Sequence, residues 1–262
     1  MDISGSSVIV TGAANGIGAA MAQRFARDGA RVVILSDIDG AGAEDVAARI
    51  NSAGGRAIAT QGDMSREADV RALVDLAEAD WDGVDLFCSN AGVMIQGGPE
   101  APDQDWAAAW NINVMAHVHA ARAALPAMLA RGHGYFLNSC SSAGLLTALG
   151  AAPYAVSKHA AVAFSEWLAI TYADKGIGVS ALCPQAVRTK MVEDAMTGEA
   201  GNAVKSAGRM LEPEDVADQV AAALAANQFL IVTHEETRDY VTRKVADPDK
   251  WIRNMARFAA SQ

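Results

Sequence analysis

Short apolar runs alternate along the chain with longer stretches in which apolar residues recur every three or four positions. The runs at 6–12 (SSVIVTG), 30–37 (ARVVILSD), 55–63 (GRAIATQGD), 83–90 (GVDLFCSN), 134–140 (GYFLNSC) and 177–184 (IGVSALCP) have strand lengths and are rich in Val, Ile and Leu. Runs apolar on both faces belong to a parallel sheet covered by helices. Helical periodicity fills the intervals at 16–28, 40–53, 65–79, 103–130, 153–175 and 213–226, and 227–233 (NQFLIVT) reads as a seventh strand. The alternation predicts one α/β domain spanning 1–262, a doubly wound parallel sheet of about seven strands flanked by helices. Such sheets bind ligands at the carboxyl ends of their strands, so the loops that follow the strands are where chemistry is expected.

Composition narrows the class. With 51% hydrophobic residues in 262, a sizeable core can be filled, and a formal net charge of −10 weighs against nucleic acid or an anionic membrane as partner. The N-terminal MDISGSSVIVTG has no positive segment ahead of its apolar run and does not read as a signal peptide. Between Arg131 and Lys158 there is no Lys, Arg, Asp or Glu, yet His133, Asn138, several serines and glycines and Pro153 make this strand, loop and helix start, not a membrane span. Cys88, Cys140 and Cys183 sit in or at the end of apolar segments without paired spacing, and read as buried reduced thiols of a cytoplasmic protein. His117 and His119 diverge by about 200° on a helix, so no metal site is expected.

Two stretches carry chemistry. The first strand ends in TGAANGIGAA, with Gly12, Gly16 and Gly18 opening a helix. Glycines let a pyrophosphate approach the main chain, and the helix start offers free N–H groups and a positive dipole end. Asp37 follows at the end of the second strand, 19 residues after Gly18. A carboxylate there binds both ribose hydroxyls of NAD(H) and repels the extra phosphate of NADP(H), so NAD(H) is the preferred cofactor. Further on, PYAVSKHAAVAFSEW places Tyr154 and Lys158 one helical turn apart on a segment poor in charge. An ammonium beside a phenol stabilises the phenolate and lowers its pKa from near 10.

These motifs resemble the short-chain dehydrogenase/reductase family. The first turn matches T-G-x-x-x-G-x-G from Thr11 to Gly18; NAG (90–92), NINV (111–114), SCSSAGL (139–145), YAVSK (154–158) and CPQAVRTKM (183–191) follow in family order, with Gln185 where glycine is usual. The resemblance implies a Rossmann-like fold and a catalytic set of Asn113, Ser141, Tyr154 and Lys158. Tyr154 is then the acid/base, Ser141 orients the substrate oxygen, and Lys158 tunes the phenol and binds the nicotinamide ribose. Asn113 holds a water that links Lys158 to solvent. It also implies cofactor contacts from Gly12, Asn15, Gly16, Ile17, Gly18, Asp37, Asp63, Met64, Asn90, Ala91, Gly92, Pro184, Val187 and Thr189, alongside Tyr154 and Lys158.

The expected reaction is hydride transfer between NAD(H) and a neutral, hydrophobic secondary alcohol or ketone. The alternatives are a reductase or epimerase acting on a sugar or an acyl thioester, and a dinucleotide-binding regulator without turnover. Loops 93–98 and 145–152 are mainly apolar and would line the substrate pocket; 190–210, with glycines at 198, 201 and 208, reads as a lid or an ordinary surface excursion. Residues 234–262 form a helical extension broken at Asp247-Pro248, with Trp251, Ile252, Met255 and Phe258 on one face, available to its own subunit or to a neighbour's pocket. Family resemblance implies a homodimer or homotetramer joined through the helices at 103–130 and 153–175.

Overall fold

The computed structural model describes residues 1–194 and 209–261. Seven parallel strands form one sheet in the order β3-β2-β1-β4-β5-β6-β7. They are β1 (Ser7–Thr11), β2 (Val32–Asp37), β3 (Ala57–Gln61), β4 (Leu86–Ser89), β5 (Gly134–Ser139), β6 (Ile177–Cys183) and β7 (Leu230–Val232). The helices between them are α1 (Gly16–Arg27), α2 (Gly40–Ser52), α3 (Glu67–Asp80), α4 (Asp103–Trp110), α5 (Ala116–Arg131), α6 (Ala152–Tyr172), α7 (Lys190–Asp194) and α8 (Pro213–Ala225). Two more, α9 (Glu235–Ala246) and α10 (Pro248–Ala259), end the chain. Among the described residues no helix is long and apolar enough to cross a membrane.

Strand periodicity sorts the core into two layers. Val8 and Val10 of β1, with Val33 and Leu35 of β2, pack on Met21 and Phe25 of α1, Val46 and Ile50 of α2, and Val216 and Val220 of α8. Ile9 and Ile34 point the other way, where they meet Leu73 of α3, Ala120 and Met128 of α5, and Leu168 of α6. Each fully buried side chain of this kind contributes about 1.5–3 kcal/mol. Because both faces of β1 are covered, its ligand-binding end is fixed against the helices on either side.

The helix expected over 103–130 is not uniform. Between α4 and α5 lies a turn of π-helix, Asn111–Met115, which holds an extra residue and rotates the side chains that follow. Sequence periodicity over so few residues cannot register it. The expected seventh strand shortens to Leu230–Val232, while the C-terminal break falls where expected: Asp247 caps α10, its Oδ1 accepting the Lys250 N–H at 2.9 Å, and Pro248 opens the helix.

Candidate active site

The order of strands reverses between β1 and β4, and the glycine turn sits at that switch point. Gly12 has φ +63°, and a Cβ there would lie 2.8 Å from the Ala91 Cα. At Gly18 a Cβ would come within 2.0 Å of the Gly12 carbonyl oxygen. Close packing of helix against strand, together with left-handed backbone at Gly12, therefore requires glycine at both positions. Thr11 ties β1 to β4: its Oγ1 accepts the Asn90 N–H at 3.0 Å and the Ala91 N–H at 3.1 Å. Asn90 answers with Nδ2 donated to the carbonyls of Thr11 and Gly12, both at 3.1 Å, while its Oδ1 accepts the Ser139 hydroxyl at 2.9 Å.

Asn15 caps α1 without a side-chain hydrogen bond, so the first turn of the helix presents N–H groups that its own cap leaves unmet. Asp37 closes the turn from the side, Oδ2 accepting the Ala14 N–H at 2.9 Å and Oδ1 the Asp39 N–H at 3.0 Å. An uncapped positive helix end beside a fixed carboxylate fits the pyrophosphate and ribose of a dinucleotide. Asp63 is committed locally, its Oδ1 accepting from Ser65 N at 2.9 Å and Ser65 Oγ at 2.7 Å. Met64 turns its side chain into the core, which leaves only its main chain for an adenine.

The second constellation gathers where β4, β5, α5 and α6 converge. Tyr154 lies in the first turn of α6 and hydrogen-bonds Ser141, whose Oγ also accepts the Ala143 N–H at 3.1 Å. Of the neighbouring serines, Ser139 is spent on Asn90 and Ser142 gives its N–H to the Pro184 carbonyl at 2.8 Å. Lys158, 4% exposed, donates Nζ to the Ser139 carbonyl at 2.8 Å. Its Nζ stands 5.8 Å from the centre of the Tyr154 ring.

Burial reverses one expectation. The sequence predicts a phenol made acidic by Lys158, but desolvation pushes Tyr154 up from 10, with the hydrogen bond to Ser141 opposing. The same burial lowers Lys158 to about 8. Desolvation by burial is the largest influence on both groups.

The π turn carries Asn113 inward, where it is fully buried. Its Oδ1 accepts the Val93 N–H at 2.9 Å, and its Nδ2 donates to the Val93 carbonyl and to Ser157 Oγ, both at 3.0 Å. Both amide hydrogens are therefore used, and one lone pair on Oδ1 is left to serve a water or ammonium. Gly92 lies between Asn113 and Lys158. Sequence reasoning missed two participants here, Ser157 and His117. The latter is a buried imidazole whose Nδ1 lies 2.8 Å from Ser89 Oγ, and burial, assisted by the Lys158 charge, holds it neutral at about 3.

A glycine turn at the switch point, and a Ser–Tyr–Lys cluster at the next strand ends, define the lineage. Residues 6–200 match the family model for short chain dehydrogenases. The chain belongs to the short-chain dehydrogenase family. It is 35% identical to 1-deoxy-11-beta-hydroxypentalenate dehydrogenase of Streptomyces exfoliatus, over 91% of this chain and 86% of that one. Identity to 3beta-hydroxysteroid dehydrogenase 1 of Eggerthella lenta is 34%, over 88% and 91%. A short chain dehydrogenase/reductase from Burkholderia phymatum, solved in complex with NAD, superposes with a TM-score of 0.86 at 31% identity, covering 95% of this chain and 96% of that one.

In this short-chain dehydrogenase the loop after β6 closes over the glycine turn. The Thr189 methyl would lie 3.0 Å from a Cβ on Gly16, and buried Val187 forms a bridge with Leu211. Gln185, in the place of the usual glycine, is not in left-handed backbone, so the loop does not need glycine there. Its Oε1 accepts the hydroxyl of buried Thr237, on α9, at 2.7 Å.

Beside Tyr154 and Ser141 opens a cavity of about 700 Å³. Met94 and Leu149 come from the two loops expected to line it, and Met191 from α7. Residues 195–208, the greater part of the expected lid at 190–210, lie outside the described residues. The remaining wall is the chain's own C-terminal pair of helices, through Tyr240, Trp251, Met255 and Phe258. Lys244 docks that pair by donating Nζ to the carbonyls of Leu145 at 2.6 Å and Leu146 at 3.1 Å. Ile252 departs from the expected face: it is 63% exposed. Trp251, Met255 and Phe258 follow i, i+4, i+7 spacing, which puts position 252 about 100° away.

Proposed function

We propose that this chain is an NAD(H)-linked dehydrogenase of alicyclic secondary alcohols with an apolar ring system, and of the corresponding ketones. One observation carries the reading: Tyr154, hydrogen-bonded to Ser141 and one turn from Lys158, lines a largely apolar cavity of about 700 Å³. That volume suits a small organic substrate. The relatives named above are dehydrogenases of a hydroxypentalenate and of a 3beta-hydroxysteroid, which supports an alicyclic alcohol for a cavity of this size and largely apolar lining. Asp37, fixed at the end of β2 by two N–H donors, supports NAD(H) over NADP(H), since a carboxylate there would bind the ribose hydroxyls.

Bound NAD(H) supplies the hydride acceptor or donor. Ser141 holds the substrate oxygen by hydrogen bonding, and Tyr154 Oη exchanges the proton with that oxygen. A phenol kept neutral by burial is ready to protonate a ketone; in the oxidation direction the Lys158 ammonium favours the phenolate that forms. Asn113 positions the Val93 segment beneath Lys158 and offers one acceptor for proton exchange. Exposed Trp110 on α4, and Val156, Trp167 and Ile170 on α6, support a homo-oligomer joined through these helices. Free, buried Cys88, Cys140 and Cys183 support a cytoplasmic setting.

The test follows nicotinamide absorbance with cyclohexanol, cyclohexanone and a hydroxysteroid, using wild type and Tyr154→Phe. The phenylalanine variant is expected to lose about 100- to 10,000-fold in kcat while NADH still binds. Turnover in Tyr154→Phe equal to wild type would refute the assignment.

A further inference from the structure

The C-terminal helices bring charge as well as apolar surface to the cavity. Arg243, at the end of α9, and Lys250, in the first turn of α10, both line it, as does Asn254. Among the described residues no carboxylate stands within ion-pairing distance of either cation. The one acidic residue of the same wall, Asp247, spends Oδ1 on the Lys250 main-chain N–H as the cap of α10. Two cations thus face one carboxylate here, in a protein whose formal net charge is −10. A surface this acidic repels anions at long range, so the local reversal of sign is set by these two side chains.

Position sharpens the point. Ser141 is 7% exposed, whereas Arg243 and Lys250, which line the same cavity, are exposed and so border its solvent side, its mouth. Leu146, Met255 and Phe258 add apolar surface to the same lining. The Tyr240 ring lies 6.0 Å from the Arg243 guanidinium carbon and restrains the fork. The Lys244 and Gln185–Thr237 contacts fix α9 against the body of the molecule.

We infer that the substrate is an amphipathic anion: an alicyclic alcohol or ketone whose ring system fills the apolar middle and whose carboxylate-class group is held at the mouth by Arg243 and Lys250. The inference rests on the dehydrogenase reading for the position of the reacting hydroxyl, and replaces the neutral substrate expected from sequence. A guanidinium fork and a carboxylate match in two parallel hydrogen bonds. A neutral tail would take water from both cations and return nothing. Arg243 and Lys250 are therefore specificity-determining residues.

The test compares a hydroxycholanoate, a steroid alcohol bearing a side-chain carboxylate, with its uncharged primary amide, in wild type and in Arg243→Gln/Lys250→Gln. Wild type is expected to favour the acid over the amide by about tenfold or more in kcat/KM, carried by KM, and the double variant to bring that ratio near one. A wild-type ratio near one, or a ratio the variant leaves in place, overturns the proposal. Calorimetric binding of the same pair is measured in parallel, so that the two readings fail separately. If neither compound is turned over, the dehydrogenase reading is what suffers, and preferential binding of the acid that the variant abolishes still supports the anion site. Equal binding of acid and amide, or binding of neither, overturns it.

Discussion

Thr237 donates its hydroxyl to the carboxamide oxygen of Gln185 across 2.7 Å, joining α9 to the loop that follows β6. Thr237 is fully buried, and the two residues are 52 positions apart in the chain. The bond fastens the helical wall of the cavity to the loop that closes over the glycine turn. Thr237→Val keeps the shape and removes the donor, and is expected to cost about 1 kcal/mol in urea unfolding. The KM for bulky alcohols should rise more than the KM for cyclohexanol. An unchanged unfolding midpoint would show that the contact is not a fastening.

Asn113 should behave as a structural keystone as well as part of the site. Asn113→Ala removes the partner of the half-buried Val93 N–H and carbonyl and of the buried Ser157 hydroxyl, and is expected to destabilise the fold by about 2 kcal/mol. Denaturant unfolding monitored by tryptophan fluorescence measures this. A loss under about 1 kcal/mol would mean that water takes over the bonds of the carboxamide.

Lys158 gives a pH dependence whose sign is fixed by its burial. Its folded value near 8 lies below the ordinary 10.5, so between these limits the unfolded chain binds more protons and stability rises with pH. Below pH 8 both states are charged and the burial cost is fully present. Relative to Lys158→Met, which carries no such charge, wild type should gain on the order of 3 kcal/mol as pH climbs from 8 to 10.5. Unfolding of both proteins across that range, compared as a difference, isolates the lysine from other titrating groups. A constant difference would place the folded pKa at its ordinary value.

Asp37→Ala is expected to lower the preference for NAD⁺ over NADP⁺ by about tenfold or more in kcat/KM, since the repelling carboxylate is gone. Fluorescence titration with NADH and NADPH provides the same comparison without turnover. Retention of a strong NAD(H) preference would move the discrimination to another residue.

Local pattern carried the sheet, the glycine turn and the Tyr154–Lys158 pair, because strand period, glycine geometry and one-turn helical spacing are all short-range properties. The family resemblance, not local pattern, singled out Ser141, and the structure sets this serine beside Tyr154. The π turn at Asn111–Met115 was not legible, because one extra residue in a helix leaves the surrounding periodicity intact.

Sequence by itself determined the order of strands and helices, the glycine turn after the first strand and the one-turn spacing of Tyr154 and Lys158. Tertiary structure alone decided the environment and the enclosure of these two residues. Whether Tyr154 would be acidic turned on its desolvation against its hydrogen bond to Ser141, and burial by distant residues decided it. Whether the C-terminal helices cover this cavity turned on contacts such as Lys244 to Leu145, 99 residues apart, and on buried Thr237 reaching Gln185. Such pairings depend on the three-dimensional path of the whole chain, which no local window of residues contains.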